Sequence, residues 1–253
     1  MAELEHRVAI VTGGARGIGR GCAHALAKRG LAIALVDVLV PEMERTKAEI
    51  DEIGVPCTIH EADVSDHAQA REIAADVNAA WGRIDVLVNN AGRSAPVGIL
   101  EITEDQWDAA IDVNLKSCFN YIQATAPTMV ARQYGRIVSM SSLNAHSGGV
   151  TAAVSRFAYA AAKAGIIGMT RALAKELGPH IAINCVCPGL IKTELTAKNP
   201  VIAEREPELI KGIALNRTGS PADVAELVAF LTTTEPFYVT GQDITIDGFQ
   251  WNR

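Results

Sequence analysis

A tyrosine and a lysine four residues apart are the most informative pair of side chains for chemistry in this sequence. Tyr159 and Lys163 lie in a segment with helical periodicity, so both side chains share one helix face. A tyrosine hydroxyl is a poor base at neutral pH, and a neighbouring ammonium favours its ionised form. The pair can therefore serve as a general acid and base for a hydroxyl proton. Taken alone, the same spacing also describes a surface tyrosine beside a solvated lysine.

Glycines follow the first apolar run of the chain and lead into a helical segment. The loop reads T-G-G-A-R-G-I-G over residues 12–19. Gly13, Gly17 and Gly19 suit a tight turn, the close approach of a pyrophosphate and close packing of the helix on the strand. The helix that follows offers free N–H groups to phosphates. The loop, with Arg16 and Ile18 among its residues, therefore predicts a dinucleotide site rather than an ordinary turn.

An acidic residue closes the second apolar run, where such folds bind the adenosine ribose. A carboxylate at Asp37 would accept hydrogen bonds from the ribose hydroxyls and repel a 2′-phosphate. Asp37 therefore predicts NAD rather than NADP as the cofactor. Arg16 is the opposing signal, because an arginine in the loop could reach a 2′-phosphate.

Short apolar runs alternate with helical periodicity along the chain and predict the elements that position these residues. Most runs are rich in β-branched residues, as expected of strands buried on both faces. The alternation predicts an α/β fold, a doubly wound, Rossmann-type, seven-stranded parallel sheet with helices on both faces. The predicted strands are Val8–Val11, Ala32–Val36, Cys57–Ile59, Val86–Val88, Ile137–Met140, Ile181–Val186 and Ile244–Ile246. The predicted helices cover residues 18–29, 41–53, 66–80, 104–130, 155–178 and 221–231.

Individual residues predict where several helices begin or bend. Ser65 and Ser220 are candidate N-caps, and Pro41 and Pro221 suit a first helical turn. Pro127 is expected to kink its helix or to end it early.

Composition places the chain among globular proteins and limits its domain organisation. Of 253 residues, 49% are hydrophobic and 21% are charged, which excludes intrinsic disorder as the main state. No linker divides the strand–helix alternation, so we expect a single domain over residues 1–253. Residues at about 190–218 break the alternation after the carboxyl end of a strand, where ligands bind in such sheets. This segment is predicted to be a mobile substrate lid.

Charge and cysteine content exclude several kinds of partner. A net charge of −6 and an aromatic content of 5% argue against nucleic acid binding. The sequence shows no basic and apolar leader and no run of about 18 apolar residues, so we expect a cytoplasmic protein without a membrane partner. Cys185 and Cys187 are expected to pack as small hydrophobic residues. Their C-x-C spacing has no second Cys or His pair nearby, so no metal site is expected.

Further motifs occur in order after the glycine loop. Asn89-Asn90-Ala91-Gly92 follows the fourth predicted strand, and residues 159–163 form Y-x-x-x-K. Pro188-Gly189 begins a P-G-x-x-x-T motif that ends at Thr193. With these motifs the whole chain resembles the single-domain form of the short-chain dehydrogenase/reductase family. The resemblance implies an NAD(P)-dependent oxidoreductase that acts on a CH–OH group. The cofactor-binding residues that it implies, with the loop and Asp37, are Asp63, Val64, Asn90, Ala91, Gly92, Tyr159, Lys163, Pro188, Gly189, Ile191 and Thr193.

The resemblance also implies catalytic roles for four residues. Tyr159 would exchange the hydroxyl proton, and Lys163 would bind the nicotinamide ribose and support the tyrosine. Ser142, with Ser141 as the alternative, would donate a hydrogen bond to the reacting oxygen. Asn114 would hold a water that links Lys163 to solvent. No metal is required for this chemistry.

The substrate is predicted only by class. The segment between Ser142 and Tyr159 is longer than is common in the family, so a relative's substrate cannot be transferred directly. The pocket is expected to form from residues 93–100, 143–158 and 189–215. Four polar residues in these segments, which could equally be surface or turn residues, are the candidate substrate contacts: Arg93, Asn144, His146 and Arg156. Arginines can fork onto oxygens, which favours a small polar secondary alcohol or ketone of the sugar, polyol or hydroxy-acid type.

Two other functions compete with an NAD-dependent alcohol dehydrogenase. One is a 3-oxoacyl thioester reductase, a role that in the family usually needs NADPH and a basic surface for its acyl carrier. Asp37 and the net charge of −6 argue against it. The other is a dinucleotide-sensing protein without catalysis, which would not need the four catalytic residues together. The resemblance further implies a homotetramer.

Overall fold

Seven parallel strands form one sheet in the order β3-β2-β1-β4-β5-β6-β7. The structure, a computed structural model, describes residues 7–148, 155–197 and 200–250. The strands are β1 Val8–Thr12, β2 Ala32–Asp37, β3 Cys57–Glu61, β4 Val86–Asn89, β5 Gly135–Met140, β6 Ile181–Pro188 and β7 Asp243–Ile246. The helices are α1 Gly17–Ala27, α2 Val40–Ile53, α3 His67–Trp81, α4 Glu104–Ile111, α5 Ser117–Ala131, α6 Asn144–Ser147, α7 Phe157–Glu176, α8 Glu194–Ala197, α9 Pro200–Lys211 and α10 Pro221–Thr233. The predicted seven-stranded, doubly wound sheet is confirmed.

Helices cover both faces of the sheet, which explains why its strands are apolar at successive positions. Side chains of α1, α2 and α10 form one core with alternate strand residues such as Val11 and Leu35. Side chains of α3 and α5 form a second core with Ile10 and Leu87 on the opposite face. All five residues of β1 are buried, as expected of a strand at the centre of a covered parallel sheet.

The strand order reverses at β1, which pairs with β2 on one side and with β4 on the other. Val11 is in register with Leu35 of β2 and with Val88 of β4. The turns that follow β1 and β4 therefore meet at the carboxyl edge of the sheet. Ligands bind at such a switch point in doubly wound folds.

A buried ion pair fixes the opposite edge of the sheet. Asp85 is 0% exposed and accepts two hydrogen bonds of 2.7 Å from the guanidinium of Arg83. Its carboxylate also accepts a 2.8 Å hydrogen bond from the N–H of Val8, at the start of β1. These three bonds satisfy the buried charge and hold the starts of β1 and β4 together.

Two helix predictions need correction. Asp66, rather than Ser65, caps α3 and accepts hydrogen bonds from the N–H groups of Ala68 and Gln69. Ser65 instead donates its own N–H and hydroxyl to Asp63, so its side chain is not placed to cap. The early helix end predicted at Pro127 was also wrong, because α5 continues through it to Ala131. Met129, beyond the proline, is fully buried, and this packing holds the last turn in place.

The other three N-terminal signals are confirmed. Ser220 caps α10 in a capping box with Asp223, and Pro221 lies in the first turn. Pro41 lies in the first turn of α2. The predicted helix over residues 104–130 is interrupted, because residues Asp112–Lys116 form a π-helical turn between α4 and α5. Turns of this kind often occur at functional sites.

The predicted lid contains two helices, α8 and α9. Its start and end meet in a bridge between Ile191 and Gly219, where Gly219 N–H donates to the carbonyl of Leu190 at 2.9 Å. Residues 198–199 of the lid and residues 149–154 of the predicted pocket lie outside the described residues. Among the helices of the described ranges, none is long and apolar enough to cross a membrane.

Candidate active site

The glycine loop lies between β1 and α1, and its glycines are required by close contacts. Gly13 has φ +64°, and a Cβ built on it would lie 2.7 Å from Asn90 Nδ2. A Cβ on Gly19 would lie 2.0 Å from the carbonyl oxygen of Gly13. Gly17 has φ +57°, and a Cβ built on it would lie 3.5 Å from the Thr193 side chain. Gly13 and Gly19 thus pack tightly against the rest of the loop and the turn after β4, whereas Gly17 faces Thr193 of the predicted lid.

Side chains from β1 and the turn after β4 hold this loop. The Asn90 amide donates to the carbonyls of Thr12 and Gly13, both at 3.1 Å. The Thr12 hydroxyl accepts the N–H groups of Asn90 at 3.0 Å and Ala91 at 3.2 Å. Asn90 and Ala91 therefore shape the loop through hydrogen bonds, a contribution that the motif alone did not specify.

An anionic side chain already occupies the N-terminus of α1. Gly17 N–H donates to Glu194 Oε2 at 3.1 Å, and the other carboxylate oxygen lies 3.6 Å from the Arg20 guanidinium. Glu194 begins α8 directly after Thr193. Sequence reasoning missed this residue, because the motif ends at the preceding threonine and nothing in the spacing indicates the contact.

Asp37 lies at the end of β2 and contacts the glycine loop. Its carboxylate accepts a 3.2 Å hydrogen bond from Ala15 N–H and another of 3.2 Å from Leu39 N–H. Arg16 is the exposed N-cap residue of α1 in the same loop, and Ile18 is half-buried. The Asp37 carboxylate and the Arg16 side chain therefore both lie beside the glycine loop, at the carboxyl edge of the sheet.

The turn after β3 presents another carboxylate. Hydrogen bonds from the Ser65 hydroxyl and N–H hold the pKa of Asp63 below its usual range. Val64 is buried, and its carbonyl accepts a 3.0 Å hydrogen bond from the Asn120 amide. The charge of Arg93 also favours ionised Asp63. The exposed Arg93 thus interacts with the Asp63 side of the site.

Lys163 is buried beside Tyr159. Its ammonium nitrogen lies 5.6 Å from the centre of the Tyr159 ring and donates a 2.7 Å hydrogen bond to the carbonyl of Met140, at the end of β5. Lys163 is only 3% exposed. Tyr159 is half-buried in the first turn of α7, where Phe157 stacks on Trp107 of α4 at 5.6 Å between ring centres. This packing sets the direction in which the tyrosine enters the site.

Asn114 lies in the π-helical turn and ties it to the segment after β4. Its amide donates to the carbonyls of Arg93 and Ala110, and its Oδ1 accepts Arg93 N–H at 3.1 Å. A Cβ on Gly92 would lie 2.8 Å from Asn114 Oδ1 and 3.5 Å from Lys163 Nζ. Both amide hydrogens are thus engaged, and the second lone pair of Oδ1 is the side-chain position left for the predicted water.

The two candidate serines at the end of β5 have different environments. Ser141 is buried and donates a 2.7 Å hydrogen bond to the carbonyl of Lys163, which gives it a structural role. Ser142 is half-buried, and its hydroxyl oxygen accepts the N–H of Asn144 at 3.2 Å. An accepting hydroxyl keeps its own hydrogen for a second partner. This difference favours Ser142 over Ser141 as the donor to a substrate.

Comparisons with known proteins show which family the chain belongs to. A family model described as enoyl-(acyl carrier protein) reductase matches residues 13–248. The 3-oxoacyl-(acyl-carrier-protein) reductase FabG of Thermotoga maritima is 39% identical over 97% of this chain and 98% of its own. The chain is a member of the short-chain dehydrogenase/reductase family. The oxidoreductase UcpA of Escherichia coli K12 is 38% identical over 98% of this chain and 95% of its own. The crystal structure of an actinorhodin polyketide ketoreductase variant with NADPH superposes with a TM-score of 0.91 at 31% identity, covering 100% of both chains.

Membership of the short-chain dehydrogenase/reductase family makes the chain an oxidoreductase that acts on CH–OH or ketone groups and binds a nicotinamide dinucleotide. The residues at the carboxyl edge fit that cofactor. Gly17 N–H accommodates an anion, as its bond with the Glu194 carboxylate shows. The contacts at Gly13 and Gly19 leave no space for side chains, so the main chain itself forms the loop surface.

The P-G-x-x-x-T segment of this dehydrogenase/reductase runs from β6 into the lid. The carbonyl of Pro188 accepts Leu143 N–H at 2.9 Å, and Gly189 N–H donates to Ile246 at 3.0 Å. A Cβ on Gly189 would lie 2.6 Å from the Cβ of Asp247, so only glycine fits. Ile191 is buried. The segment is therefore anchored to its neighbours before Thr193 reaches Gly17.

The four predicted substrate residues are less closely grouped. Arg156 lies over Gly98, where a built Cβ would be 2.6 Å from its Nη1, and its N–H donates to Ala95 at 2.8 Å. Asn144 begins the short helix α6 next to Ser142. His146 is turned toward β7, with its Nε2 at 3.4 Å from Asp243 Oδ2. The imidazole of His146 thus interacts with the last strand of the sheet, and substrate binding by His146 stays a prediction.

Proposed function

We propose that the enzyme is an NAD(H)-dependent oxidoreductase that interconverts a small polar secondary alcohol, of the sugar, polyol or hydroxy-acid type, and its ketone. The observation that carries the cofactor choice is the carboxylate of Asp37. It lies at the end of β2 and accepts the N–H of Ala15 in the glycine loop. A fixed negative charge at this point hydrogen-bonds ribose hydroxyls and repels a 2′-phosphate.

In the proposed reaction, Tyr159 Oη takes the substrate hydroxyl proton during oxidation and returns it during reduction. The buried ammonium of Lys163 stabilises the ionised tyrosine and binds the nicotinamide ribose. Ser142 Oγ donates a hydrogen bond to the reacting oxygen, and Asn114 Oδ1 holds the water that relays the proton to solvent. The bound dinucleotide supplies the hydride acceptor or donor.

The polar substrate class rests on the arginines near the predicted pocket. Arg156 contacts the segment after Gly92, and Arg93 follows Gly92 directly. A guanidinium binds paired oxygens of a carboxylate or polyol better than an alkyl chain. The proposal includes closure of residues 190–218 over the substrate, assembly into a homotetramer and a cytoplasmic location. Light scattering at micromolar concentration tests the assembly, and a monomer would contradict it.

A second candidate is a 3-oxoacyl thioester reductase that uses NADPH. The similarity to FabG favours it, and the ketoreductase neighbour was crystallised with NADPH. The exposed Arg16 beside the loop offers a partner for a 2′-phosphate. The net charge of −6 opposes this candidate, because an acidic enzyme repels an acidic carrier.

Steady-state kinetics with both cofactors separate the two candidates. We expect wild-type kcat/KM to favour NAD(H) over NADP(H) by about 30- to 150-fold, which corresponds to about 2–3 kcal/mol of repulsion between two charges. Asp37→Asn should remove most of this preference. Asp51→Asn, which removes an exposed charge from α2, should leave it unchanged. Preference of the wild type for NADP(H), or an unaltered ratio in Asp37→Asn, would overturn the cofactor proposal.

Substrate panels test the second half of the proposal. Polar secondary alcohols with NAD⁺ should support turnover, whereas acetoacetyl thioesters with NADH should be poor substrates. The reverse order would establish the thioester reductase. Binding of NADH without turnover of any substrate would favour the dinucleotide-sensing alternative.

A further inference from the structure

Three side chains with metal-binding atoms converge at the β6–β7 side of the sheet. His146, Cys187 and Asp243 each present one potential ligand atom, and these atoms all lie within 4.8 Å of one another. They come from three elements, α6, β6 and β7. The sequence predicts no metal site, because the C-x-C motif has no second Cys or His pair nearby in sequence. The fold supplies the missing partners from 41 residues before Cys187 and 56 residues after it.

The sheet register explains why these residues meet. Cys185 pairs with Asp243, and Cys187 pairs with Thr245, in neighbouring parallel strands. Residues two apart on a strand point to the same face, so Cys187 and Asp243 share one face of the sheet. Helix α6 delivers His146 to that face, where its Nε2 lies 3.4 Å from Asp243 Oδ2.

We propose that His146, Cys187 and Asp243 form a binding site for a divalent cation of the Zn²⁺ type. Thiolate, imidazole and carboxylate are the ligands that zinc prefers, and softness of the sulfur disfavours Mg²⁺ and Ca²⁺. Ligand atoms around a tetrahedral zinc lie roughly 3.3–3.6 Å apart, so the side chains need to shift by about 1 Å to close on the ion. The side chains of His146 and Asp243 are 21% and 17% exposed, whereas His146 Nε2 and Cys187 are buried, so the ligand atoms face one another below the surface.

The electrostatic surroundings suit such an ion. A thiolate and a carboxylate balance the two positive charges of the metal. Arg171 donates a 2.6 Å hydrogen bond to Asp243 Oδ1, which leaves Oδ2 directed toward His146. An outer hydrogen bond of this kind orients a ligating carboxylate.

Burial alone does not distinguish this cysteine. Cys187 and Cys22 are both 0% exposed, but of the two only Cys187 belongs to a group in which an imidazole and a carboxylate lie within 4.8 Å of the sulfur. Thiolate is the form of cysteine that binds metals, so metal binding at this site releases the thiol proton.

The ion would link the catalytic edge to the last strand. Ser142 lies four residues before His146, and Cys187 directly precedes the Pro188-Gly189 start of the lid. Metal binding would therefore fix α6 and the base of the lid against β7. This is a positioning role, because the proposed reaction uses Tyr159, Lys163, Ser142 and Asn114 and none of the three ligands.

Cobalt provides a direct probe of this site. The purified full-length enzyme is treated with a chelator, dialysed and titrated with Co²⁺, and then with Zn²⁺ in competition. We expect one equivalent of Co²⁺ to give tetrahedral visible absorption and a thiolate-to-cobalt charge-transfer band. Zn²⁺ should displace it and raise the melting temperature. Absence of stoichiometric binding would overturn the proposal.

Variants assign the ligands. Cys187→Ser should lose the charge-transfer band, whereas the matched buried control Cys22→Ser should keep it. Asp243→Asn should weaken Zn²⁺ binding at least tenfold, as expected on loss of an anionic ligand. This variant carries the test if Cys187→Ser does not fold, since Asp243 lies on the edge strand. A band that survives in Cys187→Ser, or unchanged affinity in Asp243→Asn, would contradict the assignment.

Discussion

Removing the charge of Glu194 tests how the lid and the cofactor share the N-terminus of α1. Gly17 N–H donates to Glu194 Oε2 at 3.1 Å, and Arg20 lies 3.6 Å from the other carboxylate oxygen. A pyrophosphate needs the same N–H groups at this helix end. The carboxylate must therefore move aside when the dinucleotide binds, and it remains a nearby like charge. Glu194→Gln keeps the size of the side chain and removes this repulsion.

The size of the effect follows from distance and exposure. Two like charges about 5 Å apart repel by about 1–2 kcal/mol when the effective dielectric constant is roughly 40–80. The Glu194 side chain is 49% exposed, so solvent screening favours the lower value. We therefore expect Glu194→Gln to bind NAD(H) about fivefold more tightly, which corresponds to about 1 kcal/mol.

Isothermal titration with NADH measures this change. The gain should shrink at high salt, because exposed charges are screened. Adenosine, which has no phosphate, should bind wild type and Glu194→Gln equally. Glu206→Gln is the matched control, because Glu206 is a lid carboxylate that pairs with Lys192 instead of the loop. Equal or weaker NADH binding by Glu194→Gln, or the same gain for adenosine, would refute the reasoning.

Three further substitutions test the catalytic tyrosine, the buried ion pair and the cap of α10. Tyr159→Phe should bind NADH normally and lose about 100- to 10,000-fold in kcat, the usual contribution of a general acid and base; retained turnover would remove it from that role. Asp85→Asn should lower the free energy of unfolding in urea by about 2–3 kcal/mol, because it leaves a partly buried guanidinium without its counter-charge. Asp51→Asn, at an exposed ion pair, is the control and should lower the free energy of unfolding by less than about 0.5 kcal/mol. Equal losses of stability in Asp85→Asn and Asp51→Asn would contradict the burial argument. The hydrogen bond from Arg217 lowers the pKa of Asp223, so its contribution to stability is present above its unfolded pKa and is lost as pH falls. The melting-temperature deficit of Asp223→Asn should therefore narrow below about pH 5, and a deficit that is independent of pH would contradict this sign.

The sheet was predictable because its strands are covered on both faces. Burial on two sides requires apolar residues at successive positions, and this pattern is visible in a single sequence. The boundary of α3 was not predictable to the residue, since Ser65 and Asp66 are both good caps. Asp63 accepts the hydrogen bonds of Ser65, and this local turn decides in favour of Asp66. The continuation of α5 through Pro127 depends on burial that the sequence does not reveal.

The candidate site was predictable where short motifs carry it. The spacing within each motif identifies the glycine loop, Asn90 and the Tyr159–Lys163 pair in the sequence. The predicted parallel arrangement of the strands then places all of them at one edge of the sheet. The π-helical turn at Asn114 was not predictable, because its hydrogen bonds with Arg93 join segments that are distant in sequence. The positions of His146 and Glu194 likewise depend on tertiary contacts with β7 and with the glycine loop.

The glycine loop and the lid, residues 190–218, are held by interactions of different strength. This difference predicts how substitutions in each of them act. Asn90 and Thr12 fix the glycine loop through partly buried hydrogen bonds between side chain and main chain, and a Cβ at Gly19 would lie 2.0 Å from a backbone oxygen. The lid is held by surface pairs such as Lys192 with Glu206, whose lysine side chain is 55% exposed. Such pairs contribute about 1 kcal/mol or less. A change in the loop therefore has to act through folding, whereas a change in the lid can alter affinity while the fold is kept. The glycine loop therefore offers the dinucleotide a preformed main-chain surface, whereas Glu194, on the side of residues 190–218, has to move aside when the dinucleotide binds.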